Sequence, residues 1–193
     1  RRFIAHRSTD AGMVQFSAFA IDVYEYPNRV GALPLTNLTL AEARALCQAR
    51  GKRLCAESEW EQACRGPRDF IYGYGPQFGP DRCNTPYPEG SAWKRRQGPA
   101  ASGAFEGCTT PEGVHDLVGN VWEWCADRVG DQYRAIRGGC WADNLSSLAR
   151  RQEFAGSLPP QAESEGRNPR ERGGNEDDRE RRQRVGFRVA RDP

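Results

Sequence analysis

The sequence predicts an α+β domain in which two short helices come first, short strands come late, and long ordered loops join them. Three observations carry that prediction. Between Thr39 and Gly66 two stretches repeat apolar residues at helical spacing, each with acidic residues in its first turn and a glycine at its end. From Pro67 to Pro111 the chain is dense in glycine, proline and aromatic residues with no sustained period, the pattern of ordered loops wrapped on a core. Near the end, Val185 to Val189 forms a short apolar run of strand type.

The elements follow in order. Phe16 to Tyr26 alternates apolar with polar or small residues, so it is predicted as a strand carrying Asp22 and Glu25. Thr39-Leu40-Ala41-Glu42 is a capping box, and Leu40, Ala43, Leu46 and Cys47 line one helical face until Gly51 ends it. The second helix is predicted from Glu57 to Arg65, with Glu57 and Glu59 at its positive end, Gly66 as its stop, and Trp60 and Cys64 sharing its buried face. Between Gln161 and Arg184 seven acids balance seven arginines with almost no apolar side chains. Such a polyampholyte cannot bury enough surface to offset chain entropy, so a mobile insertion is expected at 158–184 within one domain spanning 1–193.

Composition narrows the function classes. Lysine and arginine number 28 against 26 acids, a net charge of +2, so no large one-signed field exists to draw nucleic acid. Lys52 and Lys94 are the only lysines, which points to a GC-rich coding sequence rather than to phosphate clamps. No stretch reaches the ~20 apolar residues of a membrane helix, so membrane insertion is not expected. The chain opens on Arg1 without Met or a signal-peptide pattern, and the N-terminus of the full gene product is expected to lie upstream. Seven cysteines without a CxxC favour disulfides over a zinc site, and hence a periplasmic or cell-surface location over a cytoplasmic one. An odd count leaves at least one cysteine outside any internal pairing.

The most specific feature is Gly113-Val114-His115-Asp116-Leu117-Val118-Gly119-Asn120-Val121-Trp122-Glu123-Trp124. It is followed by Arg137-Gly138-Gly139-Cys140-Trp141 and by Gly186-Phe187-Arg188. With Phe19 to Glu25 and Gly51 to Glu61 upstream, these landmarks cover nearly the whole chain. In that order they resemble the formylglycine-generating enzyme, or sulfatase-modifying factor, family. The resemblance implies a modified C-type-lectin-like fold with two short helices, a small antiparallel sheet and long ordered loops.

The resemblance also sets the chemistry to test. The resembled enzyme oxidises a substrate cysteine with oxygen and a copper ion held by two cysteines. Aligned on Arg137 to Trp141, those positions fall at about Asp143 and Leu148 here, so copper and formylglycine generation are not expected. The iron-dependent sulfoxide synthases of the family use histidines from a separate helical domain, whereas only His6 and His115 exist here. A structural calcium ion is implied instead, held by Asp116, Glu123 and the backbone carbonyls of Leu117, Gly119 and Val121. The competing arrangement pairs Glu123 with an arginine such as Arg137 and holds no metal. A second family calcium site near Asn84 lacks its Asp-Gly here.

Binding is the leading functional class. Trp141, Asp143, Asn144, Arg150 and Arg151 combine an aromatic platform with polar groups, as a recognition patch for a protein or small-molecule ligand would. Trp141 could equally belong to the core. Variable proteins diversified by retroelements are similar in their ending, which Gly186-Phe187-Arg188-Val189-Ala190 matches. Fusion to other domains is compatible with everything above. The alternative is a nonheme-metal or thiol oxidoreductase using Cys125 or Cys140.

Overall fold

The computed structural model describes residues 6–7, 13–15, 18–129, 133–142, 155–158 and 184–192. The expected mobile insertion therefore lies outside the described residues, apart from its first residue Leu158 and its last residue Arg184. Described elements are β1 (His6–Arg7), β2 (Met13–Gln15), β3 (Ala20–Asp22), α1 (Leu40–Gln48), β4 (Arg53–Leu54), α2 (Glu57–Arg65) and β5 (Tyr87–Glu89). They continue with β6 (Ala92–Lys94), β7 (Trp122–Val129), β8 (Tyr133–Arg137), β9 (Ala155–Leu158), β10 (Val185–Phe187) and β11 (Val189–Arg191). One sheet runs β1-β2-β3-β11-β4, a second β10-β7-β8-β9, and β5 with β6 forms a separate hairpin.

Both helices form where the sequence places them. Thr39 caps α1 by accepting from Glu42 N–H, while the Glu42 carboxylate accepts from Thr39 N–H at 2.8 Å. The α2 N-cap is Ala56, which offers no side-chain acceptor. Its first turn is instead satisfied by Glu59, which accepts from Ala56 N–H at 2.9 Å, and by Asp127 of β7, which accepts from Glu57 N–H. The start of α2 is thus fastened to a strand 70 residues away in the chain. Trp60 and Cys64 share the buried face as predicted.

Two strand predictions need correction. Among the described residues of the run from Phe16 to Tyr26, Ala20–Asp22 is strand, and the chain then turns: Asn28 N–H donates to Glu25 O, and the Asn28 side chain accepts from Tyr24 N–H. The run from Val185 to Val189 is not one strand. β10 pairs in parallel with β7, whereas β11 lies antiparallel between β3 and β4, so the chain changes sheet at Arg188. The β10–β7 pair also makes the second sheet mixed rather than antiparallel throughout.

β7 divides the core because strand side chains alternate. Trp124 joins Leu40, Ala43, Cys47, Ile136, Phe187 and Val189 on one side. Cys125 joins Ile21, Trp60, Cys64, Leu117 and Ala135 on the other. Cys83 and Cys108 form the disulfide that the structure shows, a connectivity no spacing rule could choose. Cys47, Cys55, Cys64, Cys125 and Cys140 are buried thiols.

Candidate functional site

The glycine-rich turn between Gly113 and Trp122 packs against the chain just after β3, the loop around Asn84 and the β10–β11 segment. Its backbone is demanding: Asp116 and Asn120 sit at φ 59° and 56°, a left-handed region that short Asp and Asn side chains tolerate. Gly119 has φ +78°, and a Cβ there would stand 2.5 Å from Asn84 O, so only glycine fits. The Asn120 amide then bridges the layers, donating to Glu25 Oε2 at 2.8 Å and accepting from Asn84 Nδ2 at 2.9 Å and from Ala100 N–H at 2.8 Å.

At the centre lies Arg188, fully buried, opposite an equally buried Glu123. Its Nε and Nη2 face Glu123 at 2.9–3.2 Å. Nη1 donates to the carbonyls of Asp22 and Val23 at 3.0 and 2.8 Å, and Nη2 also donates to His115 O at 2.7 Å. Trp60 Nε1 completes the carboxylate, donating to Glu123 Oε2 at 2.7 Å. Every N–H of the guanidinium has an acceptor, and one cation ties strand β3, the turn, β7 and α2 together. The register explains the approach: Gly186 lies opposite Glu123, and two residues on, Arg188 returns to the same face.

Sequence reasoning found Glu123 and the Gly-Phe-Arg ending but did not join them. Arg137 is indeed cross-strand from Glu123, yet its Nη2 pairs with Glu57 at 2.7 Å. Glu25, Asn84, Asn120 and Trp60 were missed as parts of this centre. Each lies in a segment the sequence singles out, but nothing local shows that they converge on one centre.

The expected calcium donors are placed unevenly. Leu117 O and Val121 O converge near Gly138, 3.7 and 3.6 Å from where its Cβ would be. Asp116 turns its Oδ2 to Gly103 N–H at 2.8 Å, and Glu123 is already held by Arg188 and Trp60. The donors are all hard oxygens, the right kind for calcium, but Glu123 could serve only if shared with the guanidinium. Among the described residues, no three His, Cys, Asp or Glu side chains converge as a metal-holding group.

The surroundings of the remaining acids raise their pKa values. Burial, then Asp116, then Glu123 push Glu25 well above the carboxylate range, and its Oε1 has no hydrogen-bond partner. Burial pushes Asp116 up to about 6, against the Gly103 amide and Arg188. Burial likewise pushes the Cys125 thiol well above its ordinary value, so it is no ready nucleophile, and Cys140 is fully buried with its sulfur accepting from Ala142 N–H at 3.4 Å. His115 contacts Thr109 Oγ1 at 2.9 Å, and its ring lies tilted against Tyr24 with centroids 4.9 Å apart.

Of the expected recognition patch, Trp141 is described; Asp143, Asn144, Arg150 and Arg151 lie outside the described residues, as does Leu148. Trp141 is half-buried, with the Arg184 guanidinium 5.4 Å over its ring. Its backbone N–H donates to Asn120 O and its carbonyl accepts from Arg96 N–H, so the residue is tied to the turn through its main chain.

Two small sheets meeting through long ordered loops, with two short helices alongside, define a C-type-lectin-like domain. Treponema denticola variable protein 1 has a matching structure, with a TM-score of 0.60 at 16% identity, covering 100% of this chain and 92% of that one. The profile of the sulfatase-modifying factor enzyme 1-like domain matches residues 24–193, and the chain belongs to that family. It is 37% identical over 130 residues to the inactive C-alpha-formylglycine-generating enzyme 2 of Bos taurus, covering 60% of this chain and 41% of that protein. It is 35% identical over 102 residues to the formylglycine-generating enzyme of Thermomonospora curvata, covering 49% and 33%. The chain thus spans about two fifths or less of these relatives.

Two outcomes are expected. Arg188→Lys keeps the charge but supplies three donors where five are used, and Arg188→Met leaves Glu123 buried and unpaired. The second should lower unfolding free energy by about 3–5 kcal/mol and the first by a sizeable part of that, measured by urea denaturation. In chelator-containing buffer, stability should fall as pH rises from about 4 through about 6. Asp116 is protonated in the folded state at pH values where the unfolded residue, near 3.8, has released its proton. Asp116→Asn should flatten that slope, and an unchanged slope would remove Asp116 as its source.

Proposed function

We propose that this domain is a non-catalytic member of its family that binds a protein or small-molecule ligand through its C-terminal strands and loops. The carrying observation is chemical: the positions aligned with the copper thiolates are Asp143 and Leu148, an oxygen donor and an alkyl group. Copper(I) selects soft thiolates, and neither residue supplies one. The likeness to a relative named as an inactive formylglycine-generating enzyme supports the same reading, as does the fold shared with a variable protein. Trp141, tied to the turn through its main chain, would be the aromatic anchor, with Asp143, Asn144, Arg150 and Arg151 supplying polar specificity.

The domain offered a cysteine peptide of sulfatase type, with copper and oxygen, should leave the peptide mass unchanged. Turnover to an aldehyde, abolished by Cys140→Ser, would overturn this reading. Binding is tested on peptide and metabolite arrays, where signals should disappear in Trp141→Ala while its melting temperature stays close to that of the parent.

Calcium is proposed as a stabilising ion of the same turn, held by Asp116 and the carbonyls of Leu117, Gly119 and Val121, with Glu123 shared with Arg188. At a hundredfold excess over Kd, binding would stabilise by about 2.7 kcal/mol, a rise of roughly 5–10 °C in Tm for a chain of this size. Asp116→Asn should remove that increment. Identical melting with calcium and with chelator would exclude the ion.

A further inference from the structure

We propose that Cys55 and Cys125 form a second disulfide, which locks the start of α2 onto β7 beside Glu123. The backbone places them together. Ala126 N–H donates to Cys55 O at 2.9 Å, so Cys55 is bonded to the peptide that joins Cys125 to Ala126, and residues facing each other across such a bond have Cα atoms about 4.5–5.5 Å apart. That lies inside the Cα separation of about 4.4–6.8 Å that a disulfide spans. The contact is one of a series along the same seam: Asp127 accepts from Glu57 N–H, and Arg137 of β8 pairs with Glu57. Two polar fastenings therefore fix the register next to the two sulfurs.

The side chains share one environment. Cys55 and Cys125 are both fully buried and belong to the same apolar cluster. Burial raises both thiols well above their ordinary range, and the proximity of Cys125 raises Cys55 further. Neither is poised for nucleophilic work in the folded chain, so bonding or packing is what remains to them. The other buried thiols are placed differently: Cys47 sits in the opposite cluster, and Cys64 lies against Gly73.

Closure removes one proton and one electron from each thiol and forms the S–S bond. The two electrons pass to an oxidising disulfide, such as oxidised glutathione or a protein oxidant, which is reduced to two thiols in exchange. Cys83–Cys108 needs an oxidant of the same class. Because both sulfurs are inaccessible once α2 packs on β7, exchange must precede the final packing.

The test uses the full chain refolded in a glutathione redox couple, then denatured in alkylating agent without reductant. Cleavage after Arg, Lys and Glu separates Cys55 from Cys64 and Cys108 from Cys125, so each partner is identified by mass. The expected result is three alkylated cysteines in place of the five that a single disulfide leaves, with the Cys55 and Cys125 peptides recovered joined. Cys55→Ala and Cys125→Ala should each lower Tm by roughly 5–15 °C, and the double variant should fall no further. Recovery of both Cys55 and Cys125 alkylated before reduction overturns the proposal, whatever the variants' stability.

Discussion

A guanidinium taken wholly out of water is tolerable only if each of its donors finds an acceptor and its charge finds a counter-ion. Arg188 meets both conditions by drawing on Glu123 and on the carbonyls of Asp22, Val23 and His115. Satisfying it brings β3, the Gly113–Trp122 turn and β7 to one point, and Trp60 brings α2. The switch from β10 to β11 takes place at this residue, so the two sheets are joined by the same side chain that holds the layers. A lysine could neutralise Glu123 but could not span these acceptors, which gives a physical reason for arginine at this position.

The centre is also over-supplied with acid. Glu25, Asp116 and Glu123 share one buried cation, while Asp22 has its own partner in Lys52 at 2.9 Å. Burial and the neighbouring carboxylates raise the pKa of both Glu25 and Asp116, so the excess charge is relieved by protons as pH falls. The pH sensitivity expected of the fold and the calcium proposed for the turn therefore draw on one charge imbalance.

Much of the fold was legible because its signals are local. The capping box at Thr39 and the glycine stops at Gly51 and Gly66 act within one helical turn, and both helices appear where these signals place them. The strand errors have equally physical causes. Period-two alternation continues through Arg188 and cannot show that the chain changes sheet there. The turn at Glu25–Asn28 likewise interrupts an alternation that looked continuous. In the site, Glu123 was recognisable by the two tryptophans around it. Its partner was not, because Arg137 lies cross-strand and Arg188 is 65 residues distant; geometry settled the choice for Arg188. Asn120 looked like a turn residue, and only burial revealed it as the bridge between Glu25 and Asn84.

The sequence separations around Arg188 have a kinetic meaning. Its acceptors lie between 65 and 166 residues away, so none of these contacts can form within a local segment. Helices α1 and α2 can form early from their own caps, but the guanidinium can shed its water only after distant strands have been brought together, at a large cost in loop entropy. The last bonds to form on folding are then among the first whose loss opens the structure. Weakening this centre should be felt chiefly as faster unfolding, with collapse of the helical half little changed.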